Sequence, residues 1–207
     1  MTSILQSIKP QYCELIAAGK KTIEIRKTRP KCDVPFKVYI YCTKGEYLWK
    51  KDNSVFLDRR YNRLLQTFDH MLNGKVIGEY VCDVIYEYSV YKLFEEDILD
   101  YIVPQFHYAK MQLTQAELLK YGQYKDLYGY HISDLKIYDK PKELSEFVIP
   151  CNEFLERKNA SLKCKACPFH RKESEMCLSN PQNCVCNGLK LLTRPPQSWC
   201  YVEEVAI

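Results

Sequence analysis

The sequence lacks the features of membrane and exported proteins. Its 207 residues contain no run of about 20 apolar residues, the length that a bilayer-spanning helix requires. Residues 1–8 contain no apolar core of a signal peptide. We therefore expect a cytoplasmic protein that does not enter a membrane. The sequence also has no internal repeat and no low-complexity segment, so we expect one domain with an insertion.

Histidine and net charge are also limited. His107, His131 and His170 show no catalytic spacing relative to the cysteines. The formal net charge of +4 permits binding to a polyanion but does not require it. Aromatic residues, in contrast, are plentiful, with 17 Tyr, 8 Phe and 2 Trp. Aromatic rings stack on unpaired bases, although they also suit core packing. The candidates for stacking are Tyr39, Tyr41 and Trp199.

The most informative segment is residues 19–26, with the sequence GKKTIEIR. Gly19 ends a predicted helix, and the alternation of isoleucine with polar residues predicts a strand with one apolar face. Lys21 stands at the start of this strand, and Glu24 and Arg26 share its polar face. Three such groups in one solvent-open cleft can hold a phosphate and a base edge, or carry out acid–base chemistry. The alternative is an ordinary solvated ion pair.

This segment resembles the signature of the ASCH (activating-signal-cointegrator homology) domain family. The signature is roughly G-x-K-x-x-E-x-R, and residues 74–79, 130–135 and 194–199 resemble further family elements. The resemblance implies an α+β fold, a PUA-like mixed β-barrel with flanking helices, with a cleft suited to RNA or a modified nucleotide. We accordingly predict nucleotide contacts from Lys21, Glu24, Arg26 and Tyr41.

An enzyme is the alternative that the resemblance implies. Small bacterial acetylcytidine amidohydrolases share the pattern G-x-K-T-I-x-I-R, with a lysine that matches Lys21. In those enzymes a threonine, thought to be the nucleophile, stands at the position of Glu24. Glu24 could instead act as a general base beside Lys21. Some ASCH members are reported as ribonucleases, and Glu79 is the candidate second carboxylate. The alternative function is therefore a hydrolase acting on a modified nucleoside or on RNA.

Periodicity and capping residues predict the remaining elements. We expect residues 1–150 to form the barrel, 151–190 a cysteine-rich insertion and 191–207 the closing strand. A helical insertion at about 45–73 departs from the smallest family members. The predicted helices lie at 10–19, 58–72 and 114–121, and the longest predicted strands at 75–88 and 128–138. A candidate basic face on the inserted helix consists of Arg59, Arg60 and Arg63.

Five of the 11 cysteines fall within residues 164–186. The C-x-x-C pair at Cys164 and Cys167 is half of a tetrahedral zinc site, and Cys177 and Cys184 can supply the other half. The segment lacks apolar periodicity, so a metal would supply stability that a core does not. We predict one structural zinc ion, with an iron–sulfur cluster and free thiols as alternatives. Cys151, His170 or Cys186 could replace one of the four ligands. The same segment also offers a further functional alternative, a zinc-supported protein-interaction module.

Overall fold

The computed structural model describes residues 1–51, 54–58, 70–92, 99–150 and 189–204. These residues form a mixed α+β fold. The helices are α1 (Pro10–Ala17), α2 (Gln105–Met111) and α3 (Gln115–Gly122), with one 3₁₀ turn at Leu144–Glu146. The strands are β1 (Ser3–Ile8), β2 (Ile23–Arg26), β3 (Phe36–Cys42), β4 (Tyr47–Lys51), β5 (Ser54–Asp58), β6 (His70–Met71), β7 (Val76–Cys82), β8 (Ile85–Tyr88), β9 (Val90–Lys92), β10 (Leu99–Tyr101), β11 (Leu127–His131), β12 (Ser133–Lys142), β13 (Phe147–Pro150), β14 (Leu189–Leu191), β15 (Trp199–Tyr201) and β16 (Glu203–Glu204).

The central sheet has five strands in the order β12-β7-β3-β1-β15. Strands β1 and β3 run parallel, so the connection between them must cross over, and helix α1 lies within it. Both faces of the sheet are buried, because alternate side chains point to opposite sides. Ile4 and Val38 join helix α1 in one cluster. Tyr39 and Tyr41 join Phe147 in a second cluster.

The second sheet consists of the antiparallel strands β2-β11-β8. Its Tyr130 ring packs edge-on against Phe36 of the central sheet, with 6.0 Å between ring centroids. A third apolar cluster holds Ile23 of β2 together with Met111 of α2 and Leu118 of α3. These contacts fix the strand that carries Glu24 and Arg26 between the central sheet and two helices.

Each of the two longest predicted strands is divided between the two sheets. The predicted strand 75–88 becomes β7 and β8, and the predicted strand 128–138 becomes β11 and β12. Near the second break, Asp134 adopts φ = +46°. The apolar pattern continues across both breaks, so it does not reveal them. The predicted α+β fold class is confirmed. The hydrogen bonds of the described strands do not close into one continuous barrel.

Two of the three predicted helices are confirmed. Helix α1 begins at Pro10, and α3 begins after Thr114, which forms a capping box with Glu117. Helix α2 was not predicted, because its N-cap residue, Pro104, offers no side-chain cap. No described helix has the length and apolar character needed to cross a bilayer.

The predicted helix at 58–72 is wrong at both of its ends. Strands β4 and β5 form a hairpin that reaches position 58, and β6 pairs with β4 at the other end. The side chains of β4 alternate between buried and exposed, which is the period of a strand. Residues 59–69 lie outside the described residues, and with them the candidate basic face at Arg59, Arg60 and Arg63.

Residues 151–188 also lie outside the described residues. The predicted zinc ligands Cys164, Cys167, Cys177 and Cys184 belong to this range. The chain is described again from Leu189, where β14 pairs with β13. The predicted closing strand divides into β15, which pairs with β1, and β16, which pairs with β13.

Candidate functional site

A tight turn after helix α1 directs Lys21 into the protein. Gly19 adopts φ = +69°, a left-handed conformation that glycine accepts without steric cost. The amides of Lys20 and Lys21 both donate to the carbonyl of Leu15, at 2.9 and 3.0 Å. The amide of Thr22 then donates to the Lys110 carbonyl at 2.9 Å. The backbone of Lys21 is thus held from α1, and that of Thr22 from α2.

Lys21, Glu24 and Arg26 form one buried ionic group. Glu24 Oε2 lies 3.5 Å from Lys21 Nζ, and Glu24 Oε1 lies 3.0 Å from Arg26 Nη2. Arg26 Nη2 also donates to the Ser7 carbonyl at 2.8 Å. The three residues are only 2%, 5% and 6% exposed. The sequence therefore places these residues together correctly, but the expectation of an exposed polar face is wrong. Elements distant in the chain cover them.

The ionic group leaves polar atoms that the protein does not satisfy. Glu24 Oε2 and Arg26 Nε are buried and have no hydrogen-bond partner among the described residues. Two cations surround one carboxylate, so the group carries a surplus positive charge. Burial makes such a charge costly unless an anion or a hydrogen-bonding group compensates it. The arrangement is therefore complementary to a polar, anionic ligand.

A cavity of about 540 Å³ lies against this ionic group. Its volume falls within the range of roughly 300–1,000 Å³ that is typical of small-ligand sites. Tyr12 and Tyr121 line the cavity beside the three charged residues. The cavity extends to the surface, because its lining includes the exposed residues Lys9, Lys27 and Glu117. A nucleotide-sized molecule can thus reach the charged groups from solvent.

Lys21 makes two contacts besides its ion pair with Glu24. Its ammonium donates to the carbonyl of Met111, at the C-terminal end of α2, where a cation is favoured. It also lies 5.1 Å from the centroid of the Tyr12 ring, a cation–π geometry. Burial lowers the pKa of Lys21, although the Glu24 carboxylate opposes the shift. Lys21 therefore gives up its proton more readily than an exposed lysine.

This lowered pKa makes protein stability depend on pH in a predictable direction. The pKa of Lys21 is below its usual value of 10.5 in the folded protein. Between the lowered and the usual pKa, the unfolded chain binds more protons, so the free energy of unfolding rises with pH. We expect the free energy of unfolding of wild type minus that of Lys21→Met to increase across this interval, as measured by denaturant unfolding. If this value, wild type minus variant, stays constant or decreases as the pH rises, the prediction is contradicted.

The aromatic residues of the site differ from those that the sequence suggests. Tyr41 is 3% exposed and packs in the second cluster, on the other face of the central sheet. It does not line the cavity; Tyr12 and Tyr121 do. Burial raises the pKa of both cavity tyrosines. Trp199 does not line the cavity, but its Nε1 donates to Oγ1 of the lining residue Thr28 at 3.0 Å.

The other candidate catalytic residues lie in separate contacts. Glu79 accepts hydrogen bonds from Lys37 at 3.2 Å and Tyr138 at 2.7 Å, and it does not line the cavity. His131 Nδ1 lies 2.7 Å from an Asp83 oxygen. Within the described ranges, no three His, Cys, Asp or Glu side chains gather as a metal site. Lys21 and Glu24 are therefore the candidate acid–base pair of the cavity.

The chain belongs to the ASCH domain family. The family model of the ASCH domain matches residues 7–137, a range that contains the helix α1, its turn and all three charged residues. The family is generally linked to RNA binding. A comparison with curated proteins gives no match.

Solved ASCH structures are also similar to this chain. An ASCH protein from Zymomonas mobilis has 16% identity and a TM-score of 0.44, over 97% of this chain and 87% of that chain. A tyrosine-to-phenylalanine variant of the Zymomonas mobilis protein has 13% identity and a TM-score of 0.45, over 98% and 91% of the two chains.

Proposed function

We propose that this ASCH domain binds RNA or a modified nucleotide in the cavity beside Lys21, Glu24 and Arg26. The observation that carries the proposal is the surplus positive charge of this buried group, together with Arg26 Nε and Glu24 Oε2, which have no hydrogen-bond partner among the described residues. The link of the family to RNA binding favours a nucleotide over other anions.

Each polar group has a role suited to a nucleotide. The guanidinium of Arg26 can donate from Nε to a phosphate or a base edge, since its planar fork suits both. The carboxylate of Glu24 can accept from an exocyclic amine or a ribose hydroxyl. Tyr12 and Tyr121 stand on the cavity wall, where a ring can stack on an unpaired base. The Lys21 ammonium adds positive charge at the buried end.

Replacing Tyr121 tests whether the cavity wall contacts a base. Tyr121 is 39% exposed and lines the cavity, so Tyr121→Ala should weaken binding of short single-stranded RNA. Loss of one stacking ring costs about 1–3 kcal/mol, equal to roughly five- to 150-fold in affinity. Fluorescence anisotropy measures the change. Tyr124→Ala is the matched control, because Tyr124 is exposed and does not line the cavity. Equal losses in both variants would contradict the base contact.

Hydrolysis of a modified nucleoside or of RNA is the second candidate function. The observation that favours it is the buried lysine of lowered pKa next to a carboxylate. A lysine whose pKa lies nearer to neutrality can take a proton from water or from a ribose hydroxyl. Turnover of acylated nucleosides or of RNA, followed by mass spectrometry, tests this function. Turnover by wild type that Lys21→Met abolishes while RNA binding persists would establish it.

We also propose one structural zinc ion bound by Cys164, Cys167, Cys177 and Cys184. The spacing of the C-x-x-C pair, followed by two further cysteines, supports the proposal. Elemental analysis of protein purified without added metal should find about one zinc per chain. Cys164→Ser should lower that content, whereas Cys13→Ser, at a buried cysteine of α1, should not. Protein without zinc, or with iron in its place, would contradict the assignment.

A further inference from the structure

A second concavity, of about 510 Å³, adjoins the cavity beside Lys21, Glu24 and Arg26. It follows the loop of residues 27–33, and both concavities include Lys27 and Thr28 in their lining. Tyr128 forms part of its wall. The two concavities therefore lie side by side and meet at Lys27 and Thr28.

The loop carries more positive than negative charge. Lys27, Arg29 and Lys31 are exposed on it, against the single carboxylate of Asp33. Arg29 pairs with Glu87 at 3.2 Å, but both side chains are more than half exposed, so the pair is a weak one. Such a surface attracts a chain of phosphates and can bind it without displacing a strong internal contact.

The loop is also held in place by side chains from other elements. The Lys31 amide donates to the Tyr201 hydroxyl at 2.7 Å. The Tyr130 hydroxyl donates to the Thr28 carbonyl at 2.8 Å, and Trp199 donates to the Thr28 hydroxyl. The basic surface is thus formed before any ligand binds, which lowers the entropic cost of binding.

We propose that the ligand of this protein is a single-stranded RNA rather than a free nucleoside. One unstacked nucleotide enters the cavity, and the phosphates that follow it lie along Lys27, Arg29 and Lys31. This inference rests on the proposed function of the cavity. A duplex would not fit, because the cavity requires a base that has left its stack. A free nucleoside would leave the adjoining basic surface unused.

The first test compares ligands of different length. Binding of the four nucleoside 5′-monophosphates is measured beside that of short single-stranded RNA homopolymers of the same bases. Two or more additional phosphate contacts should make the best homopolymer bind about tenfold more tightly, or better, than its monophosphate at moderate salt. A monophosphate that binds as tightly as its homopolymer would overturn this inference and leave the proposed function standing. Absence of binding by both ligands would overturn both.

The second test uses the double variant Arg29→Ala/Lys31→Ala. Each phosphate contact contributes about 0.7 to the log–log salt slope for a single strand, so the slope should fall in magnitude by about 1.4. RNA affinity should fall about tenfold at moderate salt. Binding of the monophosphate should not change, because neither residue lines the cavity.

The matched control removes the same charge elsewhere. Lys75 is half-buried and pairs with the exposed Glu143 at 2.7 Å, and Lys140 is exposed on β12, so Lys75→Ala/Lys140→Ala removes the same charge as the loop variant, including one cation that belongs to an ion pair. This control should leave both the salt slope and the RNA affinity near wild type. Equal losses in the two double variants would show that RNA does not follow the loop.

Discussion

Glu24→Ala should destabilise the protein strongly. Removal of this carboxylate leaves the ammonium of Lys21 and the guanidinium of Arg26 buried without their shared anion. Breaking a buried ion pair by removing one partner costs about 3–5 kcal/mol, because the remaining charge is left uncompensated. For a chain of this size the melting temperature should fall by roughly 6–20 °C. Chemical and thermal unfolding measure both quantities.

The control for this prediction is Asp139→Ala. Asp139 also pairs with a buried lysine, Lys50, at 3.1 Å, but the Asp139 side chain is fully exposed. Lys50 keeps its hydrogen bond to the Tyr138 carbonyl, at 2.8 Å, after that change. We therefore expect a much smaller loss of stability than for Glu24→Ala. Similar losses of stability in the two variants would show that the burial of the carboxylate does not determine how much its ion pairs contribute to the free energy of unfolding.

Arg26→Lys should weaken RNA binding about tenfold or more while preserving the positive charge. A lysine can still pair with Glu24, but it lacks the Nε donor and the planar fork. Loss of a hydrogen bond to a charged group costs about 1.5–3 kcal/mol, which corresponds to at least tenfold in affinity. Because the charge is retained, unfolding should change less than in Glu24→Ala.

Arg194→Lys is the control for this binding experiment. Arg194 is exposed and does not line the cavity, so its replacement by lysine should leave affinity unchanged. Unaltered binding by Arg26→Lys, in a variant that unfolds like wild type, would show that the guanidinium does not contact the ligand.

The local parts of the site could be predicted from the sequence. The helix, the glycine turn and the strand of residues 10–26 are consecutive, so their periodicity and Gly19 define them without distant contacts. This is why the proximity of Lys21, Glu24 and Arg26 was predictable. The two strand breaks were not, because the apolar pattern continues from one sheet into the next.

The burial of the charged group could not be predicted, since it depends on distant segments. Lys21 donates to the Met111 carbonyl 90 positions later, and Ser198 also lines the cavity. The position of Tyr41 away from the cavity could not be predicted, because strand alternation gives two faces without saying which face meets the site. Tyr12 carried a usable local pattern, since it lies two turns before Gly19 on the helix that leads into the motif.

Ultraviolet cross-linking of bound single-stranded RNA, followed by peptide mass spectrometry, tests the central claim most directly. Irradiation joins a base to the side chains that it touches, and fragmentation of the tryptic peptides locates the bond. The account predicts cross-links at Tyr12 or Tyr121, within peptides 1–20 and 121–125. Cross-links confined to residues 59–69 or 151–188 would contradict it, because RNA would then bind away from the cavity.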